Sequence, residues 1–174
     1  MIVIMRNPID VIPSFSTLYL SKSHDFELQN KLNEEYPEFW NEFIDFSINN
    51  MEISQKFTIE KIAEAIPTYV VRYEDLKLRM GDVMKEVFCF LLGVPSIEGT
   101  VVEKRIELVA SSGFKGKEVY KLKSTSMNLS RNEHMYTPEQ LERMKTILAD
   151  YNHFCGYANQ EGQEKGETHF FTYT

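Results

Sequence analysis

The chain has 174 residues, is 43% hydrophobic and 26% charged, and carries a formal net charge of -7. Those values fit one globular domain and exclude a disordered or collagenous chain. The acidic balance argues against a general nucleic-acid binder, because phosphate backbones are held by clustered Lys and Arg. A chain this long buries roughly 70% of its unfolded surface and needs no covalent or metal staple. Cys89 and Cys155 are too far apart for a zinc or redox motif and read as core thiols, which favours a reducing compartment such as the cytoplasm. The longest apolar stretch, Val87 to Val94, is far short of the roughly 20 residues that span a bilayer.

The first element is Met1-Ile-Val-Ile-Met5, β-branched and apolar on both faces, which reads as a fully buried strand stopping at Arg6-Asn7-Pro8. Asn7 is placed to cap a following helix, Pro8 suits its first turn, and Asp10 complements its positive end. Pro13 then falls in the helix interior, where it removes a hydrogen bond and is expected to kink or shorten the element. From Phe26 to Met51 apolar residues recur at helical spacing, and Pro37 divides them into two helices. Phe57 to Ile66 suggests a third. Pro67-Thr-Tyr-Val-Val-Arg-Tyr73 reads as a second strand followed by an acidic turn at Glu74-Asp75.

Residues 82 to 92 form a helix that Gly93 ends in the left-handed conformation, and Val101 to Val109 is a weaker one. Thr137-Pro-Glu-Gln140 is a capping box ahead of Leu141, Met144, Leu148 and Tyr151. Beyond Gly156 the chain is polar with little to bury, and a loose tail over 157–174 is expected. Two buried strands separated by helices imply a parallel sheet flanked by helices. The class is helix-rich α/β, and two strands are few for such a sheet, so others are missed here or precede this segment.

In an open α/β sheet, ligands bind beyond the carboxyl ends of the strands. Arg6 and Ser14 lie on that edge, where an Arg clamps a phosphate with its planar fork and a hydroxyl adds a hydrogen bond. The alternative is that Arg6 pairs with Asp10 and Ser14 back-bonds to its own helix. A second feature is the segment 113–131, in which Lys115, Lys117, Lys121, Lys123 and Arg131 face one acid, Glu118, giving +4 within a chain otherwise at -11. Such an island suggests a small anionic ligand, or else a set of solvated lysines. None of the four histidines is spaced as a metal pair.

The run Ile2-Val-Ile-Met-Arg6-Asn-Pro-Ile-Asp10-Val, with Ser14 eight residues after Arg6, resembles the 3'-phosphate segment of the sulfotransferases that use 3'-phosphoadenosine 5'-phosphosulfate (PAPS). Val70-Val-Arg-Tyr73-Glu-Asp-Leu76 is similar to that family's later strand ending in Tyr-Glu-Asp. The resemblance implies a P-loop-NTPase-like parallel sheet over residues 1–156, with PAPS as sulfuryl donor and no metal. It implies that Arg6 and Ser14 bind the 3'-phosphate and that Tyr73 contacts the adenine end. The island takes the place of a basic loop that closes over the 3'-phosphate, with Lys123 and Arg131 as its candidate ligands.

The family's loop for the 5'-phosphosulfate, and its usual catalytic base, both precede the Arg-Asn-Pro segment, and no Gly-x-x-x-x-Gly-Lys occurs here. The expectation is therefore a fold incomplete at its N-terminus, a chain inactive alone, and no catalytic residue within it. The implied reaction is sulfuryl transfer to a hydroxyl or amine of a small-molecule or glycan acceptor, with a homodimer open. The competing reading is a non-catalytic relative that serves as a nucleotide-binding or protein-interaction module.

Overall fold

A computed structural model describes residues 1–22, 26–57, 65–112, 132–157 and 170–171. Strand β1, Ile2–Met5, pairs in parallel with β2, Thr68–Arg72, setting Ile2 opposite Tyr69 and Met5 opposite Arg72. A short β3, Phe170–Phe171, pairs antiparallel on the other side of β2, giving the order β1-β2-β3. The described sheet is thus small and mixed. Its antiparallel strand, and the buried Tyr157, come from the stretch expected to bury little. Polar composition hid an aromatic that packs and a pair of residues that joins the ladder.

Side chains alternate across the sheet, so each face feeds its own core. Val3, Met5 and Val70 join Ile12, Trp40, Ile44, Ile48 and Leu148 in the larger one, while Ile2, Tyr69 and Val71 join Val83 and Val87 on the opposite face. Ile4 breaks the expectation of a strand buried on both faces, being 61% exposed. The helix on that face packs against β2, and β1 is the outer strand of the described sheet.

Helix α1, Pro8–Ser21, follows β1 with Asn7 as its cap, the Asn7 Oδ1 accepting from the Ile9 amide at 3.1 Å. Pro13 neither ends nor shortens it. A proline at 13 leaves the Ile9 carbonyl without its amide donor, and the Tyr136 hydroxyl takes that place at 3.1 Å. The helix survives its proline because a tertiary donor replaces the missing one. Next come α2, Phe26–Glu35, and α3, Pro37–Lys56, divided at Pro37 as the sequence indicates. The helix expected from Phe57 to Ile66 falls largely outside the described residues.

After β2 the expected acidic turn is helical instead: Glu74 and Asp75 sit in the first turn of α4, Tyr73–Leu78, where acidic side chains suit the helix dipole. Helix α5, Met80–Leu92, ends at Gly93 with φ +64. Helix α6, Val101–Ser112, packs on it and is tied by Lys85 to Glu103 and Glu107 at 2.8 and 3.0 Å. The Thr137 capping box forms in full and opens α7, Pro138–Ile147, which a break at Leu148 separates from α8, Ala149–Phe154. No helix among the described residues is long and apolar enough to cross a membrane.

Candidate functional site

Arg6 leaves the carboxyl end of β1 with its backbone held at two points by one side chain. The Tyr151 hydroxyl accepts from the Arg6 amide at 3.2 Å and donates to the Arg6 carbonyl at 2.7 Å. Burial pushes that phenol well above its usual range, so it remains a neutral donor. The guanidinium lies over the Tyr73 ring, 4.9 Å from its centroid, a cation–π arrangement that holds the cation while leaving its N–H edges available. Among the described residues Arg6 forms no salt bridge.

Asp10, the alternative partner, is occupied elsewhere. Its Oδ1 accepts from Asn132 Nδ2 at 3.1 Å and from the Asn132 amide at 3.4 Å. That contact brings the chain back beside the first turn of α1 immediately after the basic island. Ser14 lies four residues beyond Asp10 and therefore on the same helical face. It is half-buried, and the neighbouring Ser16 and Thr17, not Ser14, turn their hydroxyls back onto the Pro13 carbonyl, at 2.8 and 2.9 Å.

The two motif segments are joined through Glu74. One carboxylate oxygen accepts from the Asn7 amide at 3.0 Å and the other from the Tyr157 hydroxyl at 2.6 Å. Glu74 fixes the turn after β1 relative to the end of β2, and so fixes Arg6 relative to Tyr73. Behind it, Arg72 stacks on the Tyr157 ring at 4.8 Å and approaches Asp75 at 3.8 Å. Asp75 Oδ2 and Arg72 Nε have no hydrogen-bond partner, and burial raises the Asp75 pKa against the opposing pull of Arg72. Gly156, at φ +68, lets the chain pass the guanidinium, since a Cβ there would lie 3.3 Å from it.

The structure thus brings Arg6 and Tyr73 together and sets Ser14 farther along α1 on the Asp10 face. Lys123 and Arg131 lie outside the described residues. Among the described residues no group of three His, Cys, Asp or Glu side chains is arranged to hold a metal ion. The sequence reading missed the polar roles of Tyr151 and Glu74. Tyr151 sits at a core position of the last helical pattern, and nothing in that pattern marks its hydroxyl as a clamp on a strand 145 residues away.

Beside Arg6 opens a cavity of about 350 Å³, lined by Val3, Ile4 and Met5 of β1, by α1 and α3, and by Tyr151. On α3 Ser47 lines it, and the Ser47 hydroxyl is buried with no hydrogen-bond partner. An unmade hydrogen bond on a buried hydroxyl costs about 1–3 kcal/mol.

No curated protein and no solved structure matches the chain. A family model described as the sulfotransferase domain matches residues 1–154, the span holding both motif segments and the tyrosine clamp on Arg6. The chain belongs to the sulfotransferase family.

Proposed function

We propose that this chain binds the adenosine 3'-phosphate end of PAPS and serves sulfuryl transfer to a hydroxyl or amine acceptor. Arg6 and Ser14 hold the 3'-phosphate, and Tyr73 lies toward the adenine end. The observation that carries the reading is the Arg6 guanidinium at the strand end, seated on the Tyr73 ring and free of the Asp10 carboxylate. A planar fork so placed suits bidentate contact with a doubly charged phosphate. Lys123 and Arg131 are proposed as further phosphate ligands from their order in the sequence. The Asn132–Asp10 contact supports this, because it returns the chain to α1 directly after Arg131.

Calorimetric titration with adenosine 3',5'-bisphosphate tests the assignment. Arg6→Ala is expected to weaken binding about tenfold or more, the loss of a charge-assisted bidentate contact. Ser14→Ala, which removes one neutral hydrogen bond, has a smaller effect. Unchanged affinity in Arg6→Ala would remove the site. Assay of sulfate transfer from PAPS to broad acceptors separates an active enzyme from a relative that only binds the nucleotide.

A further inference from the structure

The family match ends at residue 154, yet the residues just beyond it pack against the groups that hold Arg6. Helix α8 closes in a Schellman arrangement, the Gly156 amide donating to the His153 carbonyl at 3.1 Å and the Tyr157 amide to the Asn152 carbonyl at 2.7 Å. Gly156 takes the left-handed conformation that this cap requires, at φ +68. The cap therefore fixes the direction in which the next residue leaves the helix. That residue is Tyr157, whose side chain is buried.

Tyr157 touches both of the groups that set the position of Arg6. Its hydroxyl donates to one oxygen of Glu74 at 2.6 Å, while the other oxygen accepts from the Asn7 amide at 3.0 Å. Glu74 is itself buried and directly follows Tyr73, the ring on which the Arg6 guanidinium lies. The Tyr157 ring stacks on Tyr151, with centroids 6.2 Å apart and planes 20° from parallel. Tyr151 in turn bonds both backbone groups of Arg6. Burial holds the Tyr157 phenol far above its usual range, so it stays a neutral donor to the carboxylate. Without that hydroxyl one Glu74 oxygen loses a donor in a buried setting, and the carboxylate is no longer held against Asn7 from behind.

We propose that Tyr157 is a positioning residue for the 3'-phosphate site, acting on Arg6 through Glu74 and Tyr151, so that recognition of this phosphate depends on chain beyond the matched domain. The inference rests on the donor-site reading given above. Tyr157 spends its hydroxyl on Glu74 and stacks its ring against Arg72 and Tyr151, so its effect on the phosphate passes through Arg6. Bidentate contact between a guanidinium and a phosphate depends steeply on distance and angle, which makes it sensitive to small shifts of the strand end. A tyrosine that served the core alone would lower stability without favouring one nucleotide over another.

Calorimetric titration of the full chain with adenosine 3',5'-bisphosphate and with adenosine 5'-monophosphate, which lacks the 3'-phosphate, tests the proposal. Tyr157→Phe keeps the ring and removes only the hydroxyl. It is expected to weaken bisphosphate binding about three- to tenfold, the equivalent of roughly one hydrogen bond, and to leave monophosphate binding unchanged. Glu74→Asp, which shortens the same link from its other end, is expected to give the same selective loss. In an Arg6→Ala background Tyr157→Phe is expected to cost no further affinity, because the group it acts through is gone. Urea unfolding of each variant establishes that it is folded under the titration conditions. Where Arg6→Ala weakens bisphosphate binding, three results overturn the inference and leave the donor site standing: unchanged bisphosphate affinity in Tyr157→Phe, an equal loss for both nucleotides, or a full additional loss in the Arg6→Ala background. Absence of bisphosphate binding by the parent chain, or affinity that Arg6→Ala leaves intact, overturns the donor site and the inference with it.

Discussion

Asp75 sits in an environment unfavourable to its charge. It is buried, one oxygen has no hydrogen bond, and Arg72 approaches only to 3.8 Å. Burial outweighs that attraction, and its pKa in the folded protein is raised. The unfolded chain therefore releases this proton at lower pH than the folded one. Its contribution to stability is fully present below the ordinary carboxylate value of about 4 and is lost as pH rises through the higher folded value. In thermal melts across that range, Asp75→Asn is expected to gain stability relative to the parent chain as pH increases. A constant difference would show that Asp75 does not titrate abnormally. Cys155 shows the same effect of burial, its thiol pushed up to about 12, so it stays an unreactive core group beside Met5, as its sequence context indicates.

Among the elements, α1 is the one that local rules describe least well. Propensity alone expects Pro13 to break it, yet it runs unbroken from Pro8 to Ser21. The donor that permits this, the Tyr136 hydroxyl, is 127 residues distant from Ile9 in sequence. Tyr136→Phe keeps the ring against Trp40 and removes only the hydroxyl. It is expected to destabilise the protein by about 1–2 kcal/mol, the cost of leaving the Ile9 carbonyl unsatisfied, measurable as a shift in urea midpoint. No shift would mean that water serves the carbonyl equally well. By contrast, α7 starts where its sequence indicates, because Thr137 and Gln140 satisfy each other's backbone donors within four residues, although the single helix expected to run through Tyr151 divides at Leu148. The difference is range: caps are closed locally, and the rescue of a proline is not.

At the level of the whole molecule, Glu74 joins three distant parts of the chain. It accepts from Asn7, 67 residues away, and from Tyr157, 83 residues away. Glu74→Gln replaces a charged acceptor with a neutral amide between two donors. A loss of about 2–4 kcal/mol in unfolding free energy is expected, with weaker binding of adenosine 3',5'-bisphosphate, because Arg6 and Tyr73 lose their common reference. Loss of stability with unchanged nucleotide affinity would show that Glu74 serves the fold alone.

The sequence by itself determined the elements with short-range signals: β1 and β2, the division at Pro37, the Gly93 and Thr137 caps, and the two motif segments that place this chain among the sulfotransferases. Periodicity, capping and spacing are local, and local free energies are read from neighbours. Only the tertiary structure decided that Arg6 rests on Tyr73 and not on Asp10, that Asp10 takes Asn132, and that Ser47 is left without a partner beside an apolar cavity. Each is a choice among partners equally available in the sequence, and packing between remote segments makes it.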